Sequence, residues 1–99
     1  MDKNIIIKTL QEIKPKYAKD GIELLGLFGS YAQNRQNKFS DIDIVYKLDY
    51  DKFSKKYKGG FAKLLKLDEI KEDLQKIFKK SIDLVPNNNI KILNKVIYV

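Results

Sequence analysis

The 99-residue chain has the length of one domain, and we expect residues 1–99 to form a single minimal domain. It contains no cysteine and no histidine, which excludes disulfides, thiolate metal sites and any mechanism that depends on a histidine base. Lysine and arginine number 20 against 13 aspartate and glutamate residues, and the net charge of +7 either favours an anionic ligand or partner or simply keeps the surface hydrated.

Membranes and nucleic acids are disfavoured as partners by the same composition. No apolar stretch approaches the ~20 residues that span a membrane, and the N-terminus lacks the apolar core of a signal peptide. We therefore expect a cytoplasmic protein that does not bind a membrane. Arg35 is the one arginine of the chain, and because arginine is the usual reader of base edges, we expect no direct nucleic-acid binding.

The first element is marked by four apolar residues at helical spacing: Ile6, Leu10, Ile13 and Tyr17. They predict an amphipathic helix over residues 4–19, which Pro15 should kink or restart. A nearly continuous apolar run then predicts a buried strand over residues 22–28, and Gly29 ends that strand.

The middle of the chain predicts a short helix capped by Ser30, a polar loop over residues 35–39 and a second strand over residues 41–47. Residues 48–60 are rich in lysine, aspartate and tyrosine, end in two glycines and predict a charged loop. The tyrosines there interleave with lysines, which suits a solvated loop, a partner protein or a nucleic acid.

The last third predicts a long helix, a strand and a short final helix. Apolar residues between Phe61 and Phe78 recur on one helical face and predict a core stripe, with a partner-binding face as the alternative. Residues 81–85 predict a third strand, and residues 87–89 can cap a helix that packs Ile90, Leu93, Val96 and Ile97. This order predicts an α/β fold, a small mixed sheet of three to four strands flanked by helices.

Gly29 and Ser30 lie at the predicted turn from the first strand to the short helix. Glycine lets the backbone approach a ligand without a clashing Cβ, and amide groups at the start of a helix favour an anion. The Ser30 hydroxyl adds one more donor. The pair predicts a phosphate cradle, although a plain turn with a helix cap uses the same two residue types.

Asp41 and Asp43 lie two residues apart in the predicted second strand, so their carboxylates project from one face. Aspartate is depleted in strands, and two neighbouring like charges repel each other. A divalent cation would offset that repulsion, and carboxylate oxygens suit Mg²⁺ or Mn²⁺. The alternatives are two solvated acids at an edge strand and an aspartate that caps a helix.

Asp83 lies in the middle of the predicted third strand. If that strand neighbours the second one, its carboxylate joins Asp41 and Asp43. Three carboxylates can hold two Mg²⁺ ions about 3.5–4 Å apart, the arrangement that serves in-line phosphoryl transfer. Asp83 would then act as a base or as a metal ligand on the side of the nucleophile.

The chain resembles a known superfamily in these motifs. Gly29-Ser30-Tyr31-Ala32, then Ser40-Asp41-Ile42-Asp43-Ile44 and the distant Asp83, resemble the signature of the nucleotidyltransferases of the polymerase-beta type. The short length and the lead-in Leu25-Gly26-Leu27-Phe28 resemble the minimal nucleotidyltransferases, the antitoxins of HEPN/MNT toxin–antitoxin pairs. The resemblance covers nearly the whole chain.

The resemblance implies a function, partners and a site. Such an antitoxin transfers AMP from ATP to a tyrosine of its cognate HEPN ribonuclease toxin, with which it would form a hetero-oligomer. Asp41, Asp43 and Asp83 would be the catalytic residues and would bind two Mg²⁺ or Mn²⁺ ions. Gly29 and Ser30 would hold the phosphates of ATP.

One departure from the family pattern keeps an alternative open. Relatives commonly have Arg-Gly where this chain has Gln33 and Asn34, and Arg35 follows one residue beyond the glycine position. Arg35 would contact the phosphates if a shift brings its charge to them. The alternative is a non-catalytic antitoxin that neutralises the toxin by complex formation. A transferase for a small molecule such as an aminoglycoside is a weaker candidate, because the chain lacks a second domain for a substrate pocket.

Overall fold

The computed structural model describes residues 2–88 and 95–99. The helices are α1 (Lys3–Ala18), α2 (Gly29–Ala32), α3 (Tyr50–Lys56) and α4 (Gly60–Phe78), and the strands are β1 (Ile22–Phe28), β2 (Ile42–Leu48), β3 (Ile82–Pro86) and β4 (Ile97–Tyr98). Within these described residues, none of the helices combines the length and the apolar character that crossing a membrane requires.

The strands form one mixed sheet in the order β3-β2-β1-β4. β1 is antiparallel to both β2 and β4, whereas β2 is parallel to β3. A parallel pair needs a crossover connection, which α3 and α4 supply between β2 and β3. The predicted α/β fold, a small mixed sheet flanked by helices, is confirmed.

Three helices cover the apolar side of this sheet. Ile6 and Leu10 of α1, Phe53 of α3, and Ile70 and Leu74 of α4 are all fully buried in one cluster. The predicted first helix is confirmed, and it continues through Pro15 to its last residue. Burial of these large side chains removes apolar surface from water, which is the main force that holds the layers together.

The alternation of side chains along β2 separates the core from the site. Ile42 and Ile44 are fully buried in the core cluster, whereas Asp43 between them projects from the other face of the strand. One strand therefore anchors the sheet and presents a carboxylate at the same time.

The predicted charged loop over residues 48–60 is wrong in its middle, because Tyr50–Lys56 form α3. Asp49 caps this helix, and its side chain accepts a hydrogen bond from the Lys52 amide at 3.2 Å. Phe53 anchors the helix in the core with no exposed surface. A single cap and a single anchor are weak signals beside so many charged residues.

The predicted final helix is wrong where the chain is described, because Ile97–Tyr98 form β4. Beyond it, the Val99 amide donates to the Leu25 carbonyl at 2.9 Å. The outer edge of β1 offers backbone groups that need partners, and the end of the chain satisfies them. The predicted packing of Ile90 and Leu93 lies outside the described residues.

The predicted core stripe on α4 is confirmed only in its C-terminal half. Ile70, Leu74 and Phe78 are buried, whereas Leu64 and Leu65 are 58% and 53% exposed, and Ile77, which was also predicted to belong to the stripe, is 43% exposed. No side chain of residues 60–69 is buried. The helix thus reaches the core mainly through its second half, with Leu67 partly buried against the core, and its first half exposes Leu64 and Leu65 to solvent.

Candidate active site

The parallel pairing of β2 with β3 places two carboxylates side by side. Asp43 and Asp83 are register partners in this pair, so their side chains project from the same face of the sheet at the same level. The predicted adjacency of these two strands is confirmed. The structure thus brings the two acids together, and their catalytic and metal-binding roles remain predictions.

Asp43 is the electrostatic centre of this group. Burial, followed by the negative charges of Asp83 and Asp41, raises the pKa of the Asp43 carboxyl from 3.8 to about 6. The ionised carboxylate is therefore held where its charge is poorly solvated and repelled by its neighbours. A cation beside it would remove both penalties.

Asp41 lies one residue before β2 begins, and its side chain is exposed. Its effect on the pKa of Asp43 shows that the two carboxylates interact electrostatically. In the part of the chain that the structure describes, no group of three or more acidic side chains is arranged so that it could hold a metal ion as it stands. Asp83 is exposed as well, so both outer carboxylates have room to change rotamer.

Gly29 brings the turn after β1 against Asp43. Its φ of 75° lies in the left-handed region, which glycine adopts without strain. A Cβ on Gly29 would collide with Asp43 Oδ2 and would lie 3.0 Å from Asp43 Cγ. The absent side chain therefore leaves room for the carboxylate, and the backbone of this turn lines the acidic site.

Ser30 follows as the second residue of α2, and its side chain is half-buried. Its carbonyl accepts a hydrogen bond from the Arg35 amide at 2.8 Å, which closes the turn after α2. Asn34 within this turn has a φ of 56°, a conformation that glycine and asparagine tolerate best. Arg35 is exposed, and its guanidinium donates to Gln33 Oε1.

A cavity beside Asp83 was not predicted from the sequence. It holds about 200 Å³, and its lining includes Leu64, Leu67, Leu84 and Asp83. The leucines follow the same helical spacing as the core residues of α4, so periodicity alone does not separate them from the core. Only the folded chain shows that no residue of α4 before Ile70 is buried.

Known proteins that are similar to this chain include protein adenylyltransferases and a toxin–antitoxin structure. A protein of Methanocaldococcus jannaschii, named as a candidate protein adenylyltransferase, is 36% identical over 88 residues, or 89% of this chain and 76% of the relative. Protein adenylyltransferase MntA of Thermococcus cleftensis is 26% identical over 102 residues, or 97% of this chain and 90% of the relative. A crystal structure of a toxin–antitoxin with AMP-PNP has a similar fold, with a TM-score of 0.56 and 26% identity over 99% of this chain and 72% of that chain.

The predicted resemblance is confirmed by these relatives and by a family match. The model of the nucleotidyltransferase domain matches residues 4–99. That range includes every residue of the site described above. The chain belongs to the nucleotidyltransferase domain family.

Proposed function

We propose that the chain is an antitoxin that transfers AMP from ATP to a tyrosine of a cognate HEPN ribonuclease toxin. The observation that carries this proposal is the register pairing of Asp43 with Asp83, with Gly29 packed against Asp43. Relatives named as protein adenylyltransferases and a similar toxin–antitoxin structure with AMP-PNP support it.

The acidic residues fit the divalent ions that this chemistry uses. The raised pKa of Asp43 reports an ionised carboxylate that lacks compensation, and an Mg²⁺ or Mn²⁺ ion would supply it. Asp41, Asp43 and Asp83 would hold two such ions, with the two exposed carboxylates changing rotamer to reach them. When bound, the ions supply positive charge that stabilises the transferring phosphoryl group and the leaving pyrophosphate.

The transfer involves the acceptor tyrosine, the nucleotide and three residues of the chain. The tyrosine oxygen attacks the α-phosphorus of ATP, and the new P–O bond forms as the bond from the α-phosphorus to the bridging oxygen breaks. Pyrophosphate leaves, and the phenolic proton passes to Asp83 or to solvent. Gly29 lets the Asp43 carboxylate lie against the turn after β1. The backbone amides of this turn and the Ser30 hydroxyl would donate to phosphate oxygens of ATP.

Arg35 is proposed as the cationic contact to the phosphates, in place of the arginine that relatives have two positions earlier. Asn34 fits the left-handed turn that a glycine would otherwise occupy, so the backbone of this segment tolerates the departure. Gln33 accepts from the Arg35 guanidinium and orients it. Arg35→Ala should therefore raise the KM for ATP, and adding Gln33→Arg to that variant should restore it.

The direct test incubates the chain with Mg²⁺, ATP labelled on its α-phosphate and the HEPN toxin encoded by the adjacent open reading frame. We expect label on a toxin tyrosine with the parent chain and none with the Asp41→Asn, Asp43→Asn double variant. Glu72→Gln removes an exposed acid from the middle of α4 and serves as the control for charge. Absence of label with the parent chain would defeat the catalytic proposal.

The second candidate, neutralisation by complex formation alone, is favoured by one observation. Gln33 and Asn34 stand where relatives commonly have Arg-Gly, so the position of the usual arginine carries no charge in this chain. The same double variant discriminates, because an occluding antitoxin would still protect cells from the toxin at native expression. A catalytic antitoxin would lose that protection.

A further inference from the structure

The order of the strands gives the acidic site two different sides. β2 lies between β1 and β3, so Gly29 at the end of β1 and Asp83 on β3 flank Asp43 from opposite sides. The proposed phosphate contacts, Gly29 and Ser30, belong to the β1 side. An in-line displacement places the attacking oxygen opposite the leaving pyrophosphate, so the acceptor approaches from the β3 side.

Two short segments lie at the end of the sheet that carries the acids. The paired aspartates are the second residues of β2 and β3, so the segments that precede these strands, residues 35–40 and 79–81, lie at the same end. The two segments contact each other, because Lys80 Nζ donates to the Lys38 carbonyl at 3.1 Å. Together they border the acidic group toward β3.

The side chains of these segments give the border a positive charge. Lys38 and Lys79 are exposed, Lys80 is half-buried, and neither residues 35–40 nor residues 79–81 include an acid. Among the residues that the structure describes, no ion pair joins any of these three lysines to a carboxylate. Their charges are therefore available to an anionic partner that approaches the site from this side.

Phe39 adds an apolar contact to the same border, two residues before Asp41. Its side chain is 82% exposed. The turn that presents it is fixed by two hydrogen bonds, since the Phe39 amide donates to Asn37 Oδ1 at 2.8 Å and the Asn37 amide donates to Ser40 Oγ at 2.9 Å. A contact on a turn that is already ordered loses less conformational freedom when a partner binds.

We infer that Lys38, Phe39, Lys79 and Lys80, the basic rim, bind the toxin segment around the acceptor tyrosine, and that this segment carries acidic side chains. This inference rests on the proposed function and adds its protein substrate. Acidic side chains complement the three lysines, and an apolar side chain of the segment covers the Phe39 ring. The phosphates of ATP, the other anions of the reaction, belong to the β1 side.

A second exposed lysine and phenylalanine provide a matched control. Lys58 is exposed, and Phe61 is 76% exposed. Both lie at the amino end of α4, whereas Lys79 follows its carboxyl end, and the 19 residues of this helix span about 28 Å. The Lys38→Glu, Phe39→Ser double variant and the Lys58→Glu, Phe61→Ser double variant therefore make the same chemical change at opposite ends of α4.

The experiment measures AMP transfer to the HEPN toxin by the full chain and by both double variants, and separately the affinity for AMP-PNP with Mg²⁺. We expect the rim variant to raise the KM for the toxin about tenfold with unchanged nucleotide affinity, and the control variant to change it less than about twofold. Added salt should raise the KM of the parent and of the control, and should raise that of the rim variant less, because salt screens the contact of Lys38 with the acidic segment.

Two results would overturn the inference. Equal KM values in the two double variants would show that the basic rim does not contact the toxin. A loss of nucleotide affinity in the rim variant alone would show that the lysines bind the phosphates of ATP instead.

A failure of the proposed function is separable from a failure of the rim. If the parent chain binds AMP-PNP but transfers no AMP, titration of the toxin onto the parent and the two double variants replaces the rate measurement. Weaker toxin binding by the rim variant than by the control variant then supports the basic rim as a docking site. Indistinguishable binding by the two variants, or no binding by the parent, rejects it.

Discussion

In the chain without a metal ion, the packing of β2 holds the Asp43 carboxylate in a place that is unfavourable for its negative charge. Its position in β2 is fixed by the buried isoleucines on either side, Ile42 and Ile44. Its carboxylate nevertheless lies beside two other acids and is partly shielded from water, which raises its pKa to about 6. A site that binds cations commonly has this property, because the free site stores repulsion that the ligand relieves.

Asp43→Asn should stabilise the fold of the metal-free chain at pH 7 while abolishing transfer. The folded-state pKa of about 6 lies above the ordinary value of 3.8, so the parent chain loses stability as pH rises through this window. We expect the variant to gain about 1–2 kcal/mol at pH 7, after allowance for solvent screening of a half-buried group. Urea unfolding at pH 4 and pH 7 in EDTA measures the difference, which should be much smaller at the lower pH.

The control for that experiment is Glu72→Gln, which removes an exposed acid from α4. It should leave the pH dependence of the unfolding free energy close to that of the parent. An equal gain in both variants would mean that net charge, rather than the position of Asp43, sets the effect.

Gly29→Ala should damage both the fold and the site. The left-handed φ of 75° costs an alanine about 1–2 kcal/mol, and its Cβ would also displace the Asp43 carboxylate. Gly59 separates the two causes, since it has a φ of 84° but a Cβ there would meet nothing within 4 Å. Gly59→Ala should lose at least as much unfolding free energy, because its ψ of 154° lies in a region that is almost exclusive to glycine, and should keep its activity, whereas Gly29→Ala should lose both.

At the scale of elements, the turn between α1 and β1 is tied to α3, α4 and the segment between them. Asp20 Oδ1 accepts a hydrogen bond from Lys56 Nζ at 2.5 Å. Asp20 Oδ2 accepts from the Tyr57 hydroxyl at 3.4 Å and lies 4.0 Å from Lys66 Nζ. The hydrogen bond from Lys56 is the main reason that the pKa of Asp20 is lowered. These contacts hold the end of α3 and the first half of α4 against the turn between α1 and β1.

Asp20→Asn should lower the melting temperature at pH 7 by a few degrees, in line with the small free energy of exposed ion pairs. Because the folded-state pKa of Asp20 lies below the ordinary value of 3.8, the stabilisation is present above that value and is lost as pH falls through the folded-state pKa. Thermal unfolding of parent and variant at pH 7 and pH 2.5 should show a smaller difference at the lower pH. A difference of the same size at both pH values would assign the effect to packing instead.

The elements that sequence patterns identify are those whose signal lies in many residues. The helix α1, the strands β1 to β3 and the C-terminal half of α4 each have repeated apolar positions, and all were predicted. The helix α3 depends on a cap at Asp49 and an anchor at Phe53, and β4 depends on a free edge of β1, a tertiary feature. The meeting of Asp43 with Asp83 was predictable because strand order places them, whereas the cavity lined by Leu64 and Leu67 depends on where α4 leaves the core.

At the scale of the whole molecule, metal binding and folding should be coupled. The acidic group consists of Asp43 on β2, Asp83 on β3 and Asp41 just before β2, and only folding brings these residues together. A cation that neutralises the group therefore stabilises the folded chain and not the unfolded one. Mg²⁺ at about ten times its dissociation constant would add about 1.4 kcal/mol, which corresponds to a rise of about 5–10 °C in the melting temperature of a chain this size.

The melting temperature of the parent chain should therefore rise with Mg²⁺ and return with EDTA, while the Asp41→Asn, Asp43→Asn double variant should not respond. Glu72→Gln should respond like the parent, because its exposed side chain lies on α4 outside the acidic group. A rise of equal size in the double variant would show that Mg²⁺ acts on the surface at large. A rise limited to chains with both aspartates connects the repulsion stored at Asp43 to the stability of the whole fold, since the same charge that costs free energy without the ion provides its binding energy.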